Sequence, residues 1–326
     1  WWGACPDVTD VMKRTIDTPT PVVAEADGQG DDQLPKGLDP PSSRSGQSSA
    51  APRLADPGVL NSYQSQLYEA GTDASGLVVA LVNASQAALA LHESVNEHEE
   101  ALRRVGACVA APILVSYVLW LFREAEDRGL ERLYFLSRDG EVLLSIATVL
   151  QERLGLGFDL RYLYGSREAW HLPSLGSATL SEVAWVHEDA PILSPRQFFH
   201  RLGVDVEDLA DALGSVDVHE LDEPIGQRSE AIRRFVDRPE VRAAVLHASE
   251  AERTDYHAYL RQEGLLDGVP SCVVDVGWRG RIMASLTSTV RALGGDPPTG
   301  LYVGLIPDAA RHYEHAAWLF DPQPET

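Results

Sequence analysis

Ser271–Met283 reads SCVVDVGWRGRIM. The run SCVVDV is short, apolar and rich in β-branched residues, as expected of a strand covered on both faces. Gly277 and Gly280 then bracket Trp278 and Arg279, and helical spacing takes over from about Ile282 to Leu293. The same succession of strand, glycine turn and helix stands at Arg132–Leu144, RLYFLSRDGEVLL: a strand at Arg132–Leu136, a turn at Ser137–Gly140 and a helix from about Glu141 to Leu154. A third strand, Leu160–Tyr164, runs into Gly165-Ser166-Arg167, and Leu301–Leu305 and Ala316–Phe320 supply two more. Strands separated by helices predict an α/β fold, with a mostly parallel sheet and helices on both faces.

Around this frame the chain changes character. Residues 24–57 are rich in Gly, Pro, Ser, Asp and Gln and read as a linker, so 1–57 is expected to be a linker or the remnant of an upstream domain. The folded domain is expected over 58–326. Leu81, Ala84, Ala88, Leu91, Val95 and Leu102 fall at helical steps and predict one helix with Glu93, Glu97, Glu99 and Glu100 on its wet side. A second helix is expected from about Ala107 to Arg128, stopped by Gly129. Residues 175–263 read as a mostly helical, polar insertion. Within it Ser194-Pro195-Arg196-Gln197 has the form of a capped helix start, and Val241–Glu263 is a long amphipathic helix.

The net charge is -22, with a pI near 4.7. So acidic a chain repels polyanions over most of its surface, which argues against nucleic acid as a partner. Phosphate can be held only where a few arginines and backbone amides act locally. The three cysteines, Cys5, Cys108 and Cys272, are widely spaced and form no CxxC pair, which fits neither a disulfide framework nor a zinc site. Cys108 and Cys272 lie in apolar runs and are expected as core residues, and a reducing, cytoplasmic setting is the simplest fit. Val105–Phe122 is free of charge, near the lower length limit of a spanning helix. Pro112, Ser116 and Tyr117 favour a helix packed in the protein instead, and no transmembrane span is expected.

In parallel sheets ligands bind beyond the carboxyl ends of the strands. At the first loop Gly140 is expected to allow a tight turn into the helix, whose free N–H groups point outward beside Ser137. Arg138 offers a planar cationic fork suited to phosphate. Asp139 can hold the water shell of a Mg²⁺ ion or take a proton from an attacking hydroxyl. A plainer reading stays open, in which Asp139 caps the helix and Arg138 pairs with a carboxylate. At the second loop Gly277, Trp278, Arg279 and Gly280 form a candidate anion cradle. Asp275 can meet ribose hydroxyls or, through water, a metal. Ser166 and Arg167 offer a further cation to the same mouth. No G-x-S-x-G elbow and no phosphate-binding G-x-x-x-x-G-K-[ST] occurs.

In order, GACVAAPILVSYVLWLF, RLYFLSRDGEVLL, RYLYGSREAW, QFFHRLGVD, YHAYLRQEGLLDG, VVDVGWRGRIMASL and TGLYVGL resemble one family over about Gly106–Phe320. It is the phosphoribosyltransferase-like module of bacterial polysaccharide ribofuranosyltransferases, found beside phosphatase domains of the HAD type. The resemblance implies a phosphoribosyltransferase-like fold with a helical insertion or cap. It implies a glycosyltransferase that moves a 5-phosphoribosyl group from phosphoribosyl pyrophosphate (PRPP), with Mg²⁺, onto a glycan or a glycosylated small molecule in polysaccharide biosynthesis. Ser137–Gly140 would then lie at the pyrophosphate and Asp275–Gly280 at the ribose 5-phosphate, with Asp139 and Arg138 as the catalytic pair. A HAD-type phosphatase partner would remove the 5-phosphate. The chain departs from the PRPP loop of nucleotide-salvage enzymes: one acid, Asp275, is followed by Val276, and Trp278 and Arg279 replace small hydroxylic residues. It also contains no Asp-x-Asp-x-Thr signature. Two other readings stay open, a hydrolase of phosphorylated sugars and a non-catalytic sugar-phosphate binding module.

Overall fold

The computed structural model describes residues 75–90, 96–187, 190–209, 211, 221–226, 229–306 and 312–321. The expected linker, the 57/58 boundary, Cys5 and Glu93 lie outside the described residues. The chain divides into two compact units, Trp1–Ser116 and Tyr117–Thr326.

The described part of the first unit is helical. Helix α1 spans Ser75–Ala90 and α2 spans Glu97–Val105. The single helix expected across Leu81–Leu102 is therefore corrected. Asn96 is extended (φ -156°, ψ 169°) and its side chain accepts the N–H of Glu99, so it starts a new helix instead of continuing the old one. A π turn, Gly106–Ala110, joins α2 to α3, Ala111–Asp127. Pro112 has no N–H for the carbonyl four residues before it, and Ala111 reaches back five residues to Gly106 instead.

The second unit is built on a sheet. In chain order come β1 (Arg132–Leu136), α4 (Gly140–Leu154), β2 (Asp159–Leu163), α5 (Arg167–His171), α6 (Ala184–His187) and α7 (Pro195–Arg201). Then follow α8 (Ser229–Val236), α9 (Pro239–Gln262), β3 (Ser271–Asp275), α10 (Arg281–Ala292), β4 (Thr299–Gly304) and β5 (His315–Phe320). The five strands are all parallel, in the order β2-β1-β3-β4-β5. Each expected strand and its following helix is present, β1 with the expected ends and the others with ends moved by at most two residues.

Helices cover both faces. Tyr134 and Leu136 point to one side, where they pack with Val273, Tyr302, Tyr256 and Leu260 of α9, and Met283, Leu286 and Val290 of α10. Leu133, Phe135, Cys272, Val274 and Leu301 alternate to the other side and are also buried. There the Tyr117 hydroxyl of α3 lies 3.1 and 3.0 Å from the carbonyl oxygens of Asp275 and Leu301. Val118, Leu121, Phe122 and Ala125 are buried on the same helix. Glu97–Asp127 is the one described helix long and apolar enough to cross a membrane. Its second half serves here as core against the sheet.

The segment between β2 and β3 has a core of its own, gathered from Leu172 to Val245 around Phe198, Phe199 and Phe235. The expected helix start at Ser194 is present as a full capping box: Ser194 accepts the N–H of Gln197, and the Gln197 side chain accepts the N–H of Ser194.

Candidate functional site

The strand order puts the reversal of the sheet at β1. From β1 the chain moves outward to β2, then returns across to β3, β4 and β5. At such a reversal neighbouring strand-to-helix loops leave in opposite directions and open a crevice between them. The loops in question are Ser137–Asp139 after β1 and Val276–Gly280 after β3, and a cleft of about 1190 Å³ lies over them. Ser137, Arg138, Asp139, Ser166, Arg167, Asp275, Gly277, Trp278, Arg279 and Gly280 all line it. Gly140 does not.

Gly140 has a different task from the expected one. It opens α4, and a Cβ there would stand 2.6 Å from the Phe135 backbone carbon, so glycine is needed for close packing rather than for a left-handed turn. Gly277 has both constraints. Its φ is +125°, and a Cβ would come within 2.1 Å of the Gly304 carbonyl oxygen. The loop is held against the end of β4 from both sides of that contact. Gly304 donates to Val276 and Ile306 donates to the Trp278 carbonyl at 2.9 Å.

Two expected ligand groups are spent on structure. The Ser137 hydroxyl donates to the Gly165 carbonyl at 2.8 Å and accepts the Gly165 N–H at 2.9 Å, tying the loop after β1 to the loop after β2. Ser166 caps α5 by accepting the Ala169 N–H at 3.1 Å.

The opposite holds for Arg138 and Asp139. Asp139 precedes α4 in helical conformation (φ -63°, ψ -26°), and its side chain makes no capping hydrogen bond. Arg138 is exposed and makes no ion pair among the described residues. Among the described residues this loop therefore shows neither the cap nor the structural ion pair of the plainer reading.

Asp139 also acts on Asp275 across the strand pair. Burial pushes the Asp275 carboxyl up to about 6. The backbone N–H groups of Gly277 and Val276 bond to it and pull it back, and the charge of Asp139 adds to the rise. The neighbouring loop thus brings a second carboxylate, Asp139, to the cleft that Asp275 lines. Among the described residues no group of three or more His, Cys, Asp or Glu side chains gathers as a metal cage. A pair of carboxylates is nevertheless the donor set with which Mg²⁺ is commonly held beside a phosphate, its other positions being filled by water and phosphate oxygens.

Several lining residues were not singled out from sequence: Tyr162, Tyr164, His171 and Trp185. Tyr164 is 69% exposed and stands edge-to-face on Tyr162, with its N–H bonded to the Tyr259 hydroxyl at 2.8 Å. On the facing lip Trp278 is 49% exposed and stacked on Phe320, 5.6 Å between ring centroids. His171 is buried, stacked on Trp185 at 5.2 Å, with Nδ1 2.7 Å from the Ser285 Oγ. The legible signal for it was the four-residue spacing of Arg167 and His171 behind the Ser166 cap.

Arg138, Arg167, Arg279 and Arg281 line the cleft against two carboxylates, Asp139 and Asp275, in a chain whose net charge is -22. The charge balance inside the cleft is therefore opposite to that of the chain as a whole. No known protein-family model matches this chain, and no curated protein sequence matches it significantly.

Proposed function

We propose that the domain is a PRPP-dependent glycosyltransferase, phosphoribosyltransferase-like in fold, with the segment between β2 and β3 as its cap. The observation that carries this reading is the juxtaposition of two glycine-bearing strand–helix loops at the reversal of the sheet. Between them they bring arginines and the carboxylates Asp139 and Asp275 to one cleft. A ligand that fits must be strongly anionic at more than one point, and it must tolerate or recruit a divalent cation at Asp139 and Asp275. PRPP meets both requirements.

In this reading Arg138 and the amides at the start of α4 hold the pyrophosphate, while Arg279 and the Val276–Gly280 backbone hold the 5-phosphate. Mg²⁺, held through water by Asp139 or Asp275, would supply charge neutralisation at the pyrophosphate. The acceptor hydroxyl attacks the anomeric carbon, and the bond from that carbon to the pyrophosphate oxygen breaks with its electron pair. Positive charge gathers on the ribose ring as pyrophosphate leaves, and the arginines stabilise the departing charge. The hydroxyl proton passes to the Asp139 carboxylate, which has no cap to hold it elsewhere. The acceptor is a glycan or a glycosylated small molecule, and a HAD-type phosphatase would act on the product's 5-phosphate.

Calorimetric titration of PRPP into the chain, with and without Mg²⁺, tests this directly. The expected result is Mg²⁺-dependent binding that Arg279→Ala weakens by more than about tenfold, or about 1.4 kcal/mol. Absence of binding in both conditions overturns the reading. Release of inorganic phosphate from PRPP without acceptor points instead to a hydrolase of phosphorylated sugars.

A further inference from the structure

The proposed reaction makes no use of His171, although the imidazole is the most enclosed titratable side chain on the cleft wall, 4% exposed. Its surroundings come from three helices. Arg167 opens α5 and His171 lies four residues on, so the two share one face of that helix. Arg281 opens α10 and Ser285 lies four residues on, in the same relation. The two faces meet, since His171 Nδ1 and Ser285 Oγ are 2.7 Å apart. On α6, Trp185 stacks flat against the ring and fixes its plane. Each helix thus carries an arginine one turn before the hydrogen-bonded His–Ser pair, and both arginines line the same cleft.

We propose that Arg167, Arg281 and His171 form an oxyanion subsite, in which a phosphoryl-type group seated between the two arginines is bound together with a proton on His171.

The electrostatics run in the required direction. Burial first, then the charges of Arg167 and Arg281, hold the imidazole down at about 4, so it is neutral in the empty cleft near neutral pH. These two arginines are the charged groups acting on the ring from its own helix and from α10; the face it meets on α6 is the uncharged Trp185. An anion between the arginines opposes their field at the ring and favours the imidazolium. Once protonated, both ring nitrogens are donors: Nδ1 gives its hydrogen to Ser285, and Nε2 carries a second. A neutral imidazole costs nothing in the empty protein, whereas a third fixed cation beside two arginines would repel them. The site therefore gains its third positive charge only with ligand present. This subsite does not require the donor to be PRPP.

Sulfate is the probe, because it is a dianion throughout the relevant pH range. Its affinity is measured by calorimetry between about pH 5 and 7, in buffers of differing ionisation enthalpy. Asp275→Asn is used as the background, since Asp275 also titrates in this window. The expected result is uptake of a proton with each sulfate and an affinity that rises as pH falls, by up to about tenfold per pH unit. His171→Gln removes the proton uptake and the pH dependence, and Arg281→Ala weakens sulfate at every pH. In the protein with His171 intact, the imidazole NMR signals absent from His171→Gln should titrate at higher pH with sulfate than without. The titration itself is read on the parent protein, the variant serving only to assign the signals.

Failure of sulfate to bind, a pH dependence unchanged in His171→Gln, or ring signals indifferent to sulfate each overturn the subsite. None of these outcomes bears on Mg²⁺-dependent PRPP binding through Arg279, so the two readings fail separately.

Discussion

The two ends of the parallel sheet treat the same residue types in opposite ways. At the amino end, Arg132 is buried and its Nε and Nη1 are both engaged by the fold. Nε donates to Asp159 at 2.7 Å, and Nη1 donates to the Gly264 carbonyl at 3.0 Å, the Tyr134 hydroxyl at 3.2 Å and Asp267 at 3.3 Å. At the carboxyl end, six residues along the same chain, Arg138 stands exposed without an ion pair among the described residues, and Asp139 beside it caps nothing. Charges at the first end are consumed by the fold. At the second they are held in place by backbone geometry and left for something else to satisfy. Electrostatic groups at a working site have this character: the scaffold meets the cost of positioning them, and a ligand completes them.

Mutations at the two ends should separate stability from binding. The largest loss of stability is expected for Arg132→Ala, which removes the ion pairs to Asp159 and Asp267 and takes one of two partners from both the Gly264 carbonyl and the Tyr134 hydroxyl. Because Asp159 and Asp267 are half-exposed, the loss is about 2–3 kcal/mol rather than the full cost of breaking a buried pair. Urea unfolding measures it, and PRPP affinity of the folded variant should stay within about twofold. A ligand-binding defect larger than its stability loss would erase the contrast between the ends.

Asp275→Asn should move stability in the other direction. Its folded carboxyl titrates at about 6 against an ordinary 3.8, so the folded state holds the proton more tightly than the unfolded chain does. Stability is therefore lost as pH rises through that interval, and the loss persists above it, up to a ceiling of about 3 kcal/mol. The asparagine variant lacks this loss. It should be more stable than the parent near pH 7 and show no such gain near pH 4, while losing Mg²⁺-dependent binding. Unfolding curves at the two pH values decide it, and equal effects at both would remove the buried-charge account.

The smallest stability effect belongs to Arg138→Ala, within about 0.5 kcal/mol, as for an unpaired surface side chain. Its binding effect should match that of Arg279→Ala, and an unchanged PRPP affinity would leave the first loop without its assigned task.

The sheet was largely legible because its signals are local. SCVVDV and RLYFL are too apolar and too short for anything but covered strands, and Gly129 and the Ser194–Gln197 box mark helix ends by stereochemistry that acts within one turn. The misreading at Leu81–Leu102 has an equally local cause. Apolar spacing stays in helical phase across the junction, but Asn96 competes for the backbone and begins a new helix. In the site, residues recognisable by type were found, whereas their engagements were not. Ser137 resembles a phosphate ligand in sequence, yet its hydroxyl is committed to Gly165, a residue of the next strand's loop. Tyr164 and Trp185 carried no motif, and the Arg167–His171 spacing did not say what it would meet, because a cleft wall is defined by which helices come to face one another.

The sequence by itself therefore determined the elements, the order in which they occur and the two loops that end in glycine. Propensity, periodicity and turn geometry act between residues a few positions apart, and they can be read from one chain. Only the tertiary structure decided that β1 and β3 are neighbours, that Asp139 and Asp275 line one cleft, and that His171 lines it together with Arg167 and Arg281. Strand order is set by how a whole set of apolar faces is buried at once, and the protonation of each carboxyl or imidazole follows from the neighbours that this burial brings.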